Sequence, residues 1–123
     1  MRKILVCDDT PDILEMVQLI LEGEGYDVIT AMAGREVLQA VGREHPDLVL
    51  LDLRMPGLDG FGVLRELRLR EDQAPPVVIL SAKAMEEDRN AALAAGAKAY
   101  LVKPFTVAQL VGAVKDQLPA AGP

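Results

Sequence analysis

The sequence predicts an α/β fold: one doubly wound sheet of five parallel strands with helices on both faces. Two observations predict it. Short apolar runs alternate five times with segments of helical spacing, and the middle run, Leu48-Val49-Leu50-Leu51-Asp52, is unbroken until it ends on a carboxylate. A strand half open to water would alternate apolar and polar residues, so this run suits a strand covered on both faces, as parallel strands are. In such sheets ligands collect beyond the carboxyl ends of the strands, where the strand order reverses. That edge is where Asp52 belongs.

The elements follow in order. Ile4-Leu5-Val6-Cys7 is the first strand, and Asp8-Asp9 follow it at the place Asp52 holds after the third. Thr10-Pro11-Asp12 then supplies an N-cap, a proline at the first helical position and an acid in the first turn, and Ile13, Leu14, Val17, Ile20 and Leu21 recur at helical spacing until Gly23 and Gly25. Tyr26 to Ala31 is a second strand whose polar alternation marks a sheet edge, and Val37, Leu38 and Val41 mark a second helix that fades near Gly42. His45, before Pro46, is a loop residue.

Beyond the central strand, Met55-Pro56-Gly57 shapes a loop, and Phe61, Leu64, Leu67 and Arg68 mark a third helix with Arg65, Glu66 and Arg70 outside. Pro75-Pro76 forbids its continuation. Val77-Val78-Ile79-Leu80 is the fourth strand and ends on Ser81, after which Glu86-Glu87-Asp88-Arg89 opens a fourth helix closed by Gly96. Ala99-Tyr100-Leu101-Val102 is the fifth strand and ends on Lys103. Thr106 and Gln109 have the spacing of a capping box for a last helix whose Leu110, Val111, Val114 and Leu118 face inward. Residues 1–119 read as one domain, with 120–123 a tail or the start of a linker.

Bulk properties narrow the partners. The chain has 123 residues, half of them apolar, which is enough for one ordinary core. Its formal charge is −6 and no run of Lys or Arg is long enough to track a phosphate backbone, so direct nucleic-acid binding by this segment is not expected. The apolar stretch near Met1 is too short for a signal peptide, and no segment reaches the roughly 20 apolar residues of a membrane span, so the reading is cytoplasmic with no membrane partner. Cys7 is the single cysteine, and it ends an apolar strand as a small buried hydrophobe.

Pattern alone does not fix the strand order. The first, third and fourth strands are the most continuously apolar and belong at the centre, and an order of 2-1-3-4-5 puts the reversal between the first and third, where Asp8, Asp9 and Asp52 converge. Three carboxylates there repel by about 4 kcal/mol per close pair at about 4 Å and an effective dielectric near 20. A hard divalent cation that keeps several waters would compensate, and an acidic rim of this kind suits Mg²⁺. Ser81 and Lys103 end the neighbouring strands, so a hydroxyl and an ammonium face the acids. Nucleophile, charge neutraliser, hydrogen-bond donor and cationic clamp are the parts needed to take up a phosphoryl group.

Together these residues resemble the receiver domain of bacterial two-component response regulators. The resemblance rests on Asp8-Asp9, on Asp52 within Leu51-Asp52-Leu53-Arg54-Met55-Pro56-Gly57-Leu58-Asp59-Gly60, on Ser81-Ala82, on Tyr100 and on Lys103-Pro104-Phe105, and it covers essentially the whole chain. It implies a flavodoxin-like sheet in the order 2-1-3-4-5. It further implies that Asp52 accepts a phosphoryl group from a sensor histidine kinase or a phosphotransfer protein. Asp8, Asp9, Asp52 and the backbone carbonyl of Arg54 would hold Mg²⁺, for which Mn²⁺ can substitute. Ser81 and Lys103 would bind phosphoryl oxygens, Lys103 ahead of a cis bond to Pro104. Tyr100 would be the switch aromatic, turning inward as Ser81 moves toward the phosphate and altering the face shown to a downstream effector protein or domain. Such a chain is no metabolic enzyme, yet it would catalyse its own phosphoryl transfer and slow dephosphorylation. Lacking a helical histidine beside the acids, it should receive the signal and not originate it.

Three other readings fit less well. A phosphatase of haloacid-dehalogenase type carries a second Asp two residues after its nucleophile, where this chain has Arg54. A flavodoxin-like FMN carrier cradles phosphate in a hydroxyl- and glycine-rich loop, where this chain has Asp8-Asp9 and would repel it. A degenerate receiver would lack an acid or the lysine, and here none of these is missing, although Ser81 stands where many relatives have Thr. The resemblance also implies an output face on the fourth helix, fifth strand and fifth helix, on which many relatives dimerise through reciprocal ion pairs. Lys98 stands where an acid is expected there and the fifth helix offers Lys115 and Asp116 but no arginine, so the face is expected to meet a different protein.

Overall fold

A computed structural model of the chain describes residues 2–54, 60–70 and 74–118. Ten elements alternate: β1 (Lys3–Cys7), α1 (Pro11–Gly23), β2 (Asp27–Ala31), α2 (Gly34–Glu44), β3 (Leu48–Asp52), α3 (Gly60–Arg68), β4 (Val77–Ser81), α4 (Glu86–Ala94), β5 (Ala99–Val102) and α5 (Val107–Gln117). All strand pairs are parallel and the order is β2-β1-β3-β4-β5, the flavodoxin-like order expected. The loop expected at Met55-Pro56-Gly57 and the tail or linker expected at 120–123 lie outside the described residues.

The register follows from side-chain alternation. Leu5, Cys7, Val49, Leu51, Val77 and Ile79 share one face and pack with Val37 and Val41 of α2, Val63, Leu64 and Leu67 of α3 and Ala92 of α4. Ile4, Val6, Leu48, Leu50, Val78 and Leu80 fill the other, against Leu14, Val17 and Leu21 of α1 and Leu110 and Val114 of α5. Both faces are therefore dry. Each Val, Leu or Ile among them stabilises the fold by about 1.5–3 kcal/mol when fully buried, and a slip of one residue exchanges whole faces, so the pairing of Cys7 with Leu51 and of Asp52 with Leu80 is tightly specified. The carboxyl ends of β1, β3, β4 and β5 are thereby held level.

Local signals were mostly obeyed. Thr106 accepts from the amide of Gln109 while the Gln109 side chain accepts from the amide of Thr106, a complete capping box for α5. Three details differ from expectation. The Thr10 side chain makes no cap bond; its hydroxyl donates to Asp9 Oδ1 at 3.4 Å while its amide is drawn to Asp8. The second helix runs past Gly42 to Glu44, because the left-handed His45 (φ 50°) donates its amide to Val41 and forms the C-cap. Arg68, placed by spacing on the inward stripe of α3, is exposed and donates to the carbonyl of Ala94 at 3.2 Å. Val63 takes the buried position instead.

Candidate functional site

The site is the rim above β1, β3, β4 and β5. β1 carries Asp8 to it and β3 carries Asp52; β4 ends on Ser81, and Lys103 follows β5. Asp8 is fully buried, Asp52 is 7% exposed and Ser81 4%, whereas Asp9 is exposed at the lip. One carboxylate oxygen from each of Asp8, Asp9 and Asp52 lies within 4.8 Å of the others. The predicted convergence is therefore present.

Polar contacts lock each group. Asp8 Oδ1 accepts the Thr10 amide at 2.9 Å, and Asp52 Oδ1 accepts the Arg54 amide at 3.0 Å. Their other oxygens share one cation: Lys103 Nζ lies 2.6 Å from Asp8 Oδ2 and 3.1 Å from Asp52 Oδ2. Two buried acids thus face one ammonium, leaving net negative charge at the rim. Burial pushes the Asp52 carboxyl above its ordinary range, against the pull of the Arg54 amide and the Lys103 charge. For Lys103, burial pulls its pKa down, but the hydrogen bond to Asp8 and the attraction of both carboxylates outweigh that and hold it raised. Burial, with Asp8 and Glu36 nearby, keeps the Cys7 thiol far above its usual range, so Cys7 serves as core.

An all-oxygen donor set with surplus negative charge fits a hard divalent cation. Such ions take carboxylate and carbonyl oxygens and retain water, and nothing soft enough for zinc or copper is among the three clustered donors. Two residues after Asp52 stands Arg54, which presents a backbone amide to the carboxylate and no acid–base carboxyl. A dehalogenase-type proton shuttle is absent at that position.

Tyr100 is buried and points inward, its hydroxyl donating to the carbonyl of Lys83 at 2.8 Å. The amide of the same Lys83 donates to Ser81 Oγ at 3.1 Å, so one peptide segment ties the strand-end hydroxyl to the buried phenol. The inward position that the resemblance reserved for the phosphorylated form is the one seen. Lys83 and Thr10 were not legible as site residues, because both act through backbone amides or carbonyls that any residue type could supply. The Lys103–Pro104 bond is cis, as expected. His45 caps α2 before β3 and takes no part in the site.

Known proteins share both the sequence pattern and the fold. A family model described as the response regulator receiver domain matches residues 4–115. The transcriptional regulatory protein PrrA of Mycobacterium tuberculosis is 42% identical over 120 residues, which cover 98% of this chain and 51% of PrrA. This chain spans about half the length of the curated relatives it matches. Among solved structures, the BeF3-activated receiver domain of RstA from Klebsiella pneumoniae superposes with TM-score 0.90 at 30% identity, covering 96% of this chain and 99% of that one. The receiver domain of sensor histidine kinase PA1611 from Pseudomonas aeruginosa, described with a magnesium ion in its active-site cleft, superposes with TM-score 0.87 at 32% identity over 97% and 98%.

Proposed function

The chain belongs to the response regulator receiver family, and on that premise we propose that Asp52 is its phosphoacceptor and that Asp8, Asp9, Asp52 and the Arg54 carbonyl hold Mg²⁺. The observation that carries the reading is the meeting of three carboxylates at one rim with the Lys103 ammonium bound to two of them. When bound, Mg²⁺ supplies the charge neutralisation that lets a phosphoryl group approach an acidic site. Mn²⁺, with the same preference for oxygen, substitutes for it.

The chain's own residues do the rest. The Asp52 carboxylate attacks phosphorus, the bond from phosphorus to the histidine nitrogen of the donor protein breaks, and the nitrogen regains a proton while an acyl phosphate forms. Lys103, already at the rim, pairs with a phosphoryl oxygen in place of Asp52. Ser81 Oγ donates to another, and its bond with the Lys83 amide passes that displacement to the segment held by Tyr100. Phosphate shifts the switch only by the contacts it makes better in one state than the other. The donor is a sensor histidine kinase or a phosphotransfer protein, and the output is a downstream effector protein or domain.

Intact-mass measurement after incubation with phosphoramidate tests the reading. It predicts a gain of one phosphoryl group in Mg²⁺ or Mn²⁺ and none in chelator; uptake that persists in chelator contradicts it.

A further inference from the structure

Gly60 opens α3 and is buried against the residue that follows Asp52. Its amide donates to the Leu53 carbonyl at 3.0 Å. A Cβ on Gly60 would stand 2.6 Å from Leu53 Cα and 2.7 Å from Leu53 Cδ2, far inside van der Waals contact, whereas Cβ atoms on Gly23, Gly25 or Gly112 would meet nothing within 4 Å. The close neighbour is backbone, so no side-chain rotation relieves it. Leu53 is the middle of the turn in which Asp52 Oδ1 accepts the Arg54 amide, and its own side chain is anchored in the core. A shift of Leu53 would therefore be passed to both ends of that turn.

We propose that Gly60 is a positioning residue for the site: by lacking a side chain it lets α3 press on Leu53 from behind and hold the Asp52 carboxylate and the Arg54 carbonyl in register for a divalent cation. This rests on the phosphoacceptor reading of Asp52. Any larger residue moves Leu53, and the turn moves with it, so cation affinity falls by more than the loss of stability accounts for.

The experiment compares three variants with wild type at a temperature where each is folded: Gly60→Ala, the pair Leu53→Ala with Gly60→Ala, and Val114→Ala as a control that loosens the core behind α5. Mg²⁺ affinity is read by calorimetry, and protection of the Arg54 amide by hydrogen exchange in metal-free protein. Supporting structure for a metal ligand typically contributes about 10- to 100-fold in affinity, so Gly60→Ala is expected to weaken Mg²⁺ by about tenfold or more. It should also speed exchange at Arg54, while Val114→Ala lowers the melting temperature and leaves both unchanged. The paired variant removes the Cδ2 clash but not the backbone one, so it should fold more readily and still bind Mg²⁺ weakly; it decides the matter if Gly60→Ala does not fold. Wild-type Mg²⁺ affinity and Arg54 protection in the paired variant would overturn the proposal. Failure of the wild type itself to bind Mg²⁺ would strike the phosphoacceptor reading instead.

Discussion

Lys103 Nζ sits closer to Asp8 Oδ2, at 2.6 Å, than to Asp52 Oδ2, at 3.1 Å. The ammonium's nearest partner is thus the fully buried acid and not the proposed acceptor. It neutralises Asp8 in the metal-free protein and competes there with any cation that enters.

Lys103→Met should accordingly weaken the metal-free fold. Removing one partner of a buried pair costs about 3–5 kcal/mol, and the one-fifth exposure of Lys103 (19%) places this case near the lower figure. Because the competing charge is gone, Mg²⁺ should raise the melting temperature of the variant more than that of wild type. Melts with and without MgCl₂ check both, and equal Mg²⁺ gains would show that Lys103 does not compete at the site.

The raised pKa of Asp52 has a definite sign. Its folded-state value lies above the ordinary 3.8, so the protonated form is favoured on folding; that contribution is complete below 3.8 and is lost as pH rises through the folded value. Metal-free Asp52→Asn should therefore melt near wild type at low pH and above it at neutral pH. Asp9→Asn, at an exposed acid, should gain less. A neutral-pH melt of Asp52→Asn below wild type would contradict the penalty that burial, with Asp8 nearby, places on the Asp52 charge.

Tyr100 and Ser81 hold opposite ends of Lys83. Tyr100→Phe removes one hydrogen bond and should cost about 0.5–1.5 kcal/mol, and Ser81→Ala a similar amount. Because both act on one peptide segment, the double variant should depart from additivity by about 0.5 kcal/mol or more. Denaturant melts of the four proteins measure it; strict additivity means that the segment does not couple them.

Lys98 is exposed beside β5, and Lys115 on α5 already pairs with Glu24 of the same chain at 3.3 Å. The ion pairs that the resemblance implies for this face would thus lack an acid at Lys98 and an arginine on α5. Light scattering in beryllofluoride and Mg²⁺ should find a monomer, and a symmetric dimer through Lys98 and α5 would refute this.

Much of this architecture was legible because it is local. The unbroken Leu48–Asp52 run, the Thr106–Gln109 spacing and the strand-end positions of Asp8, Ser81 and Lys103 each carry their signal within a few residues. Other features depend on distances between elements. The preference of Lys103 for Asp8 is set across the sheet, from β5 to β1, and the tie between Ser81 and Tyr100 passes through a backbone segment with no side-chain signature. The clamp of Gly60 on Leu53 is of the same kind, since the close approach of these two residues has no signature in the sequence. Spacing also misplaced Arg68, because Val63 completes the buried stripe of α3 and leaves Arg68 to reach α4 across the surface.

The most direct measurement locates the phosphoryl group. Protein treated with phosphoramidate and Mg²⁺ is reduced with borohydride, which converts an acyl phosphate to an alcohol, and the peptides are then mapped by mass. Homoserine at position 52 alone, absent from Asp52→Asn and from chelated samples, is the predicted result. Homoserine at position 8 or 9, or a phosphoryl group retained in Asp52→Asn, would contradict the assignment of Asp52 as acceptor.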